Sequence, residues 1–570
     1  MSAESHEKVK RDHVRARYHR LHFSRMQIKT RAALFLLTFL IQLTATSGRV
    51  GAQASGTSPL DFATGSEFED YLRVLQVAGL EPLKPWSIRG FSPREIIRMA
   101  VADSAGPWAL RKNFRDERFF TGRTSVGSTI NTSFPYGAND GPVWAGRGIT
   151  LVGTAGVGGR FGPLSFTLSP TAFVSSNTPF TLIPNGQSGN LAYNDGSLPG
   201  GVDHPQRFGN KAYSRLDPDA SSIRFDSRVI SLGASTGNEW IGPATEYPFL
   251  LGTNAPGFPH LFVGTGDPIN LWLARIQARV MWGKLYQSDF SPVSGSTHYI
   301  TTAESGTVRL MASSEIVLLP RGVPGLELGF ARFLHVPNRV GEPNESFWKK
   351  PFKVFFLKNE FATGDSTGAD NQLASAFFRW AFPHSGFELY GERGFEDQFY
   401  DFRDFIQEPD NEREYLLGFQ KTFLRSNSLD VIKAEVLNYQ LPSTARVRQA
   451  GVIYAHSILR QGHTNRGQLL GASAGVGVAA ASTISWTRYS SAGRSAFFLR
   501  RIVRDKPPIA FRVPGPSMSD VTISVGAERM RFGRHLDLGG KLEIMEDYNH
   551  NFTKDVPNLN FQVTARLHSR

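Results

Sequence analysis

Apolar and polar residues alternate along three separate stretches of the chain. In LSFTLSPTAFVS (164–175), apolar residues or proline occupy every second position from Leu164 to Val174, and serines and threonines fill most of the positions between them. The stretches at 373–382 and 559–567 repeat this design. Successive side chains of a strand point to opposite faces, so a period of two predicts strands with one apolar face. We therefore predict that the chain is all-β from about residue 120.

The stretch INLWLARIQARVMWGKLY (269–286) fits either a helix with one apolar stripe or a strand with two different faces. The alternating stretches elsewhere in the chain favour the strand. Ten residues at about 3.3 Å rise, tilted by about 40°, cover roughly 25 Å, the height of the apolar band of an outer-membrane barrel. We predict that Trp272 and Trp282 lie at the two aromatic girdles, and that Arg275, Gln277 and Arg279 face a wet lumen.

Connections between the predicted strands alternate between short and long, as in barrels with short periplasmic turns and long outer loops. The exception is 234–267, a long connection that parity places on the periplasmic side, and we predict that it folds into the lumen. Counting the predicted strands between these connections gives a transmembrane antiparallel β-barrel of 16–18 strands over residues 119–570. A soluble sandwich or propeller is the alternative, but small residues on the apolar faces and charges opposite them favour the barrel.

The region before the barrel is predicted to be helical. Ser66–Glu69 and Ser92–Glu95 are capping boxes, each followed by a short apolar stripe. Two short helices joined by 80–91 therefore fall within residues 55–118, which form a small N-terminal domain.

The first 54 residues have the pattern of a secretory signal peptide. A basic lead precedes the apolar run Ala32–Leu43, and Ala52-Gln53-Ala54 fits the small-x-small cleavage site. The alternatives are an uncleaved anchor and a true start at Met26. Cleavage would leave 53 basic and 47 acidic residues, too small an excess for a nucleic-acid binder. We expect export, insertion by the barrel-insertion machinery and residence among outer-membrane lipid.

Catalytic and metal-binding motifs are absent from the sequence. There is no cysteine, HExxH or P-loop, and the glycine-rich GTAGVGGRFG (153–162) lies in a predicted strand and turn. His384, His456 and His463 have no serine paired with them in sequence. We predict no enzymatic activity, no cofactor and no metal site, with a barrel-embedded hydrolase as the alternative.

The long connection 393–413 offers the best ligand-binding pattern. Its GFEDQFYDFRDF interleaves aromatic rings, which stack on sugar C–H faces, with carboxylates, which accept hydroxyl hydrogen bonds. The candidate ligand-binding residues are Glu396, Asp397, Tyr400, Asp401 and Phe402, together with Arg275 and Arg279 in the lumen. The alternatives are aromatics that pack over the barrel mouth and arginines that pair with acids of neighbouring strands.

Five stretches in order resemble the Wzi-type capsule assembly family: PYGANDGPVWAGRG (135–148), GNEWIGP (237–243), NAPGFPHLFVGT (254–265), ELYGERG (388–394) and GHTNRGQLLGA (462–472). The resemblance implies a barrel of about eighteen strands closed by a helical plug, with the helices of 55–118 as the plug. It also implies a lectin that binds capsular polysaccharide without catalysis. His463 and Asn465 depart from the tyrosine and histidine of that pattern, and the chain ends ARLHSR without a terminal aromatic residue.

We therefore expect an outer-membrane protein that binds capsular or other surface polysaccharide and helps attach or organise it at the cell surface. The alternative is a porin or transporter for small solutes. An open path through the lumen would favour the porin, whereas a plug would block it.

Overall fold

The computed structural model describes residues 56–102, 106–198, 200–293, 308–336, 345–355, 371–396, 402–407, 409, 413–441, 452–455, 459–506 and 519–567. The predicted signal peptide lies outside these residues. Within the described helices, none is both long and apolar enough to cross a membrane.

Among the described residues, eighteen antiparallel strands form one closed barrel, at the upper end of the predicted 16–18. Three of these strands are interrupted and are given as two segments each. β1 pairs with β2 on one side and with β18 on the other, which closes the ring. The strands are β1 Phe119–Asn131, β2 Gly148–Phe161, β3 Leu164–Leu168 with Thr171–Ser175, β4 Tyr213–Asp217 with Ser222–Asp226, β5 Ile230–Ser235, β6 His260–Thr265 with Ile269–Asn270, β7 Ala274–Tyr286, β8 Val308–Pro320, β9 Leu326–Val336, β10 Asn371–Phe382, β11 Phe387–Glu396, β12 Arg413–Leu424, β13 Ser428–Asn438, β14 Ala479–Ser490, β15 Gly493–Asp505, β16 Ser519–Arg531, β17 Leu536–His550 and β18 Lys554–Leu567.

The two faces of the strands differ as the period of two predicts. In β10, Ser375, Phe377 and Arg379 point inward and are almost completely buried, whereas Ala376 and Phe378 between them face outward. In β18, Asn560 is buried inside and Val563 is exposed outside. The long connections gather at one end of the barrel, which we call the outer end, and the short turns lie at the other.

The stretch 269–286 is a turn followed by a strand, rather than one continuous strand. The chain reverses between Asn270 and Ala274, where the Leu271 N–H donates to the Ala274 carbonyl at 2.9 Å. Trp272 lies in this turn and is 87 % exposed, so it does not belong to the strand that carries Trp282. Every residue from 271 to 273 is apolar, and apolar composition concealed the turn. The predicted face assignment of β7 itself is correct.

The connection between β5 and β6 leaves from the outer end, and not from the periplasmic side that parity predicted. A tight turn at residues 227–229 separates β4 from β5, and the sequence count overlooked it. The Ser227 hydroxyl oxygen accepts the N–H of Val229 at 3.2 Å and that of Ile230 at 3.0 Å. Such serine turns reverse a chain without glycine or proline, which explains why no turn signal was read. The connecting residues 236–259 are called the lumen segment below.

The N-terminal region contributes three helices: α1 Glu67–Val77, α2 Pro93–Ala102 and α3 Leu110–Asn113, with a 3-10 turn at Pro59–Phe62. Ser92 and Glu95 form a complete capping box, with reciprocal bonds of 3.1 and 2.8 Å. At α1 the Ser66 hydroxyl caps the helix, but the Glu69 carboxylate accepts the Gly65 N–H at 2.6 Å instead of that of Ser66.

The remaining elements are short. Helices occur at α4 Glu345–Lys349 and α5 Phe402–Gln407, and 3-10 turns at Gly189–Tyr193 and Lys350–Phe355. Two-residue strands pair Ile88–Arg89 with Trp240–Ile241, and Thr464–Asn465 with Gln468–Leu469. The first pair joins the N-terminal region to the lumen segment.

Candidate functional site: a closed lumen, a charged cavity and an outer aromatic cluster

The lumen segment is fixed to the barrel wall by one buried carboxylate. Glu435 of β13 accepts the backbone N–H groups of Thr245, Glu246 and Tyr247 at 2.7, 3.0 and 2.8 Å. It also accepts the hydroxyl groups of Thr245 and Tyr390, at 2.8 and 2.7 Å. Hydrogen bonds to an ionised group are stronger than neutral ones. Glu435 therefore holds the lumen segment inside the barrel.

The N-terminal helices are attached to the wall by a buried ion network. Arg73 of α1 donates to Glu388 of β11 at 2.6 Å, and Glu388 also pairs with Arg379 of β10 at 2.5 Å. Arg379 continues to Glu327 of β9 at 2.6 Å, and Glu327 accepts the Ser87 hydroxyl at 2.7 Å. Each charge has an opposite partner, which offsets the cost of burial.

Apolar side chains fill the lumen between these anchors. Residues of the lumen segment pack against inward-facing residues of the wall strands in one buried cluster, which includes Ile241, Tyr247, Phe249, Leu250, Leu251, Met281, Met311, Phe333, Leu373, Tyr390, Leu416 and Ile502. A second cluster joins α1 to the wall and includes Phe68, Tyr71, Leu75, Trp108, Leu429, Val431 and Tyr489. The lumen of this barrel is therefore packed as a protein core in these places.

The two arginines predicted to face the lumen have different surroundings. Arg279 is buried and forms an ion pair with Glu239 of the lumen segment, and it donates to the Arg89 carbonyl at 2.9 Å. Its partner comes from the lumen segment and not from a neighbouring strand. Arg275 is exposed near the turn at 271–273, with no ion-pair partner among the described side chains.

The residues predicted in the 393–413 connection are only partly described. Glu396 ends β11, is buried, and its carboxylate accepts the Tyr454 N–H. Phe402 begins α5. Asp397, Tyr400 and Asp401 lie outside the described residues. The structure therefore does not test this connection as a binding loop.

A charged cavity of about 310 Å³ lies between α1, the lumen segment and the wall. Its size is at the lower limit of small-ligand pockets. Acids and bases alternate around it: Glu67, Glu69, Asp70, Arg73, Arg89, Glu246, Lys433, Arg494, Arg500, Glu528 and Lys541. Trp240 and Phe498 supply ring edges. Both signs of charge with few apolar groups suit a hydroxyl-rich ligand or water rather than an apolar one.

Burial and ion pairing shift the pKa values of groups of the N-terminal region around this cavity. Burial raises the pKa of Glu69 despite the nearby Arg89, and burial lowers the pKa of Arg89 to about 10. For Asp70, burial acts to raise the pKa, but Lys433 and the Tyr489 hydroxyl outweigh it and hold the pKa below its ordinary value. The cavity therefore keeps a fixed negative charge at Asp70 near neutral pH.

A cluster of aromatic rings lies at the outer end, and we call it the outer aromatic cluster: Trp144, Phe173, Tyr193, Phe208, Tyr213 and Phe290. Phe208 and Tyr213 stack with centroids 4.3 Å apart, and Trp144 meets the Phe208 ring edge-on at 5.0 Å. Trp144, Tyr193, Tyr213 and Phe290 are half-buried, so part of each ring remains accessible.

Cations and amides surround this cluster. Arg215 lies over Phe173 at 5.4 Å and donates to the Gln468 side chain at 2.7 Å, and Arg466 lies over Tyr286 at 5.0 Å. Accessible ring faces beside fixed hydrogen-bonding groups can bind the apolar and hydroxyl faces of a sugar together.

The backbone beneath the cluster is fixed by one amide. The Asn177 side chain donates to the carbonyls of Phe208 and Lys211 at 2.9 and 2.7 Å, and its own carbonyl oxygen accepts from Arg207 at 3.1 Å. These bonds bind the start of the 176–212 connection to its end. The rings are thus held in place before any ligand arrives.

Sequence reasoning did not identify the outer aromatic cluster. Its rings come from three connections and the strand ends beside them, so no local spacing marks them. Trp144 and Gln468 do fall in two of the stretches quoted for the family resemblance, PYGANDGPVWAGRG and GHTNRGQLLGA. His463 in the second stretch is fully buried, with its ring nitrogens 2.6 Å from the Leu250 carbonyl and 3.0 Å from His335.

The chain is similar to the solved structure of Wzi, an outer-membrane protein involved in group 1 capsule assembly in Escherichia coli and described as a carbohydrate-binding β-barrel. The TM-score is 0.58 at 12% identity, over 89% of this chain and 99% of that chain. The chain has the fold of an outer-membrane β-barrel. OccAB2 of Acinetobacter baumannii aligns to the barrel with a TM-score of 0.36 at 10% identity, over 78% of this chain and 97% of the other. No family model and no curated protein matches the sequence.

Proposed function

We propose that this protein resides in the outer membrane, binds capsular or other surface polysaccharide at its outer end, and helps attach or organise that polymer without catalysis. The observation that carries the proposal is a set of half-exposed aromatic rings, flanked by Arg215 and Arg466, above a lumen filled by plug and lumen segment.

The closed lumen favours binding over passage of solutes. A diffusion pore needs a continuous aqueous path, whereas here apolar cores and buried ion pairs join the helices and the lumen segment to the wall. A polymer that contacts several weak sites at once gains affinity from each additional contact. A rigid outer surface above a filled lumen suits such binding at several weak sites, because the sites keep fixed positions relative to one another.

Likeness to Wzi adds support of a limited kind. That barrel shares the fold of this chain and is described as carbohydrate-binding. The nature of the polysaccharide is not carried over from it, and neither is any residue role.

The test is binding of the refolded mature protein to capsular and lipopolysaccharide fractions of its own organism. We expect Trp144→Ala and Tyr213→Ala each to weaken binding by about tenfold, since loss of one stacking ring costs on the order of 1–1.5 kcal/mol. Trp272→Ala is the matched control, because Trp272 is an exposed tryptophan at the other end. Equal binding by the wild type and these three variants would rule out the outer aromatic cluster as the binding site.

The 393–413 connection is tested in parallel by changing Tyr400, Asp401 and Phe402 to alanine. Loss of binding in this variant alone would move the site to that connection. Unchanged length of the polysaccharide after prolonged incubation is the expected result for a protein without catalysis, and shortening would support the hydrolase.

Conductance in planar bilayers separates this function from the porin alternative. The packed lumen predicts no stable, large single-channel conductance. Large steady openings of the wild-type protein, without binding of either polysaccharide fraction, would establish the porin instead.

A further inference from the structure

Three metal-ligating side chains meet at the outer end of β16 and β17. Asp520 is the second residue of β16, Asp547 lies near the end of β17, and His550 is its last residue. One potential ligand atom from each lies within 4.8 Å of the others. Thr522 pairs with Asp547 across the two strands, so Asp520 and Asp547 point inward from the same face.

Both carboxylates of this group are buried, although they carry like charges. Asp547 is 1 % exposed and Asp520 is 5 % exposed. Asp547 Oδ2 is 2.6 Å from His550 Nδ1, whereas its buried Oδ1 meets no N–H or hydroxyl group among the described residues and is within reach of the Asp520 carboxyl group alone. Two buried carboxylates in contact must share either a proton or a cation, because neither can donate a hydrogen bond to the other while both are ionised. This pair is therefore a place where a bound cation can replace the shared proton.

Nearby positive charge does not balance the two carboxylates. Arg504 approaches Asp520 at 3.5 Å, but its guanidinium is also bonded to the Ala474 carbonyl at 3.1 Å and to the Thr522 hydroxyl at 3.3 Å. Asp520 receives one further bond, from the Asn551 N–H at 2.9 Å. A divalent cation between Asp520 and Asp547 would satisfy both.

We propose that Asp520, Asp547 and His550 bind one divalent transition-metal ion of the Zn²⁺ class. Two carboxylate oxygens and one imidazole nitrogen form a three-ligand set that leaves a position for water or a ligand oxygen. The His550 ring stacks on Phe134 with centroids 4.4 Å apart, which restricts the orientation of the imidazole. The ion would join the outer ends of β16 and β17.

The experiment uses the full mature chain without a histidine tag, refolded in detergent and freed of metal by chelation. Titration calorimetry with ZnCl₂, and with CaCl₂ for comparison, measures affinity and stoichiometry. We expect one Zn²⁺ per chain and weaker Ca²⁺ binding. Asp520→Asn and His550→Gln should each weaken Zn²⁺ binding by at least about tenfold.

The matched control is His204→Gln, because His204 and Asp195 form a histidine–aspartate pair at 3.3 Å that is not part of such a cluster. Zinc binding by this variant should equal that of the wild type. A barrel that migrates as folded in unheated gels shows that each variant is intact. Wild-type stoichiometry below one, or Zn²⁺ binding unchanged in Asp520→Asn and His550→Gln, would overturn the proposal.

Discussion

Replacement of Glu435 by alanine should release the lumen segment from the barrel wall. The change removes the acceptor of three backbone N–H groups, at Thr245, Glu246 and Tyr247. Each orphaned buried donor costs about 1–3 kcal/mol, and the lower value applies because water can enter the space left by the side chain. The sum is about 3 kcal/mol, which corresponds to about a hundredfold higher population of the detached segment.

Amide hydrogen exchange read by mass spectrometry measures that population directly. Peptides within the lumen segment should exchange about a hundredfold faster in Glu435→Ala, and by a smaller factor in Glu435→Gln, which keeps one acceptor oxygen. Glu528→Ala is the control, because Glu528 belongs to the charged cavity but bonds only the Arg494 side chain among described residues, at 2.6 Å. If Glu435→Ala exchanges no faster than Glu528→Ala, the carboxylate does not hold the segment.

Two further outcomes follow from buried groups. Burial lowers the pKa of His463 to about 3, so the unfolded chain binds the proton more tightly than the folded one below the ordinary pKa of 6.5. The contribution of the neutral His463 ring to the free energy of unfolding is therefore complete above about pH 6.5 and decreases as the pH falls towards 3. Between pH 7 and 5 the loss should be about 2 kcal/mol, and His463→Gln should flatten that part of a denaturant-stability profile; an unchanged slope would show that the ring titrates normally. Gly418→Ala should lower stability by about 1–3 kcal/mol, because its Cβ would lie 2.4 Å from the Tyr390 ring. Gly540→Ala, whose nearest neighbour is 3.9 Å away, should cost far less, and equal effects of the two on urea unfolding would contradict this account.

Strand existence and face could be read from the sequence because both depend on a local period of two. The alternation in β3, β10 and β18 gave the correct outward sets. Turns were read less well. The turn after Asp226 uses a serine hydroxyl, and the turn before Ala274 is apolar, so neither carries the glycine or proline that marks a reversal.

The sites could not be read in the same way, since their residues come together only when the barrel closes. Trp144 and Phe290 of the outer aromatic cluster belong to separate connections, and Asp520 and His550 lie on different strands with no motif between them. Sequence analysis predicted no metal site for that reason. One signal was available: charged residues at inward positions of strands, such as Glu327 and Glu388, mark the wall residues that bind the N-terminal region.

A barrel of this size must fill its interior or leave a channel, and that choice determines where a ligand can bind. Here Glu388 and Glu435 anchor two separate chain segments to the wall from within. Their carboxylates are buried, so removal of α1 would take Arg73 from Glu388 and leave it only its wall partners. Removal of the lumen segment would take four of the five hydrogen-bond donors from Glu435. The closed state is therefore favoured by charge satisfaction as well as by apolar packing. Under the proposed function, recognition of a large polymer would be restricted to the outer end, where half-exposed rings and arginines are fixed in place by the connections that carry them.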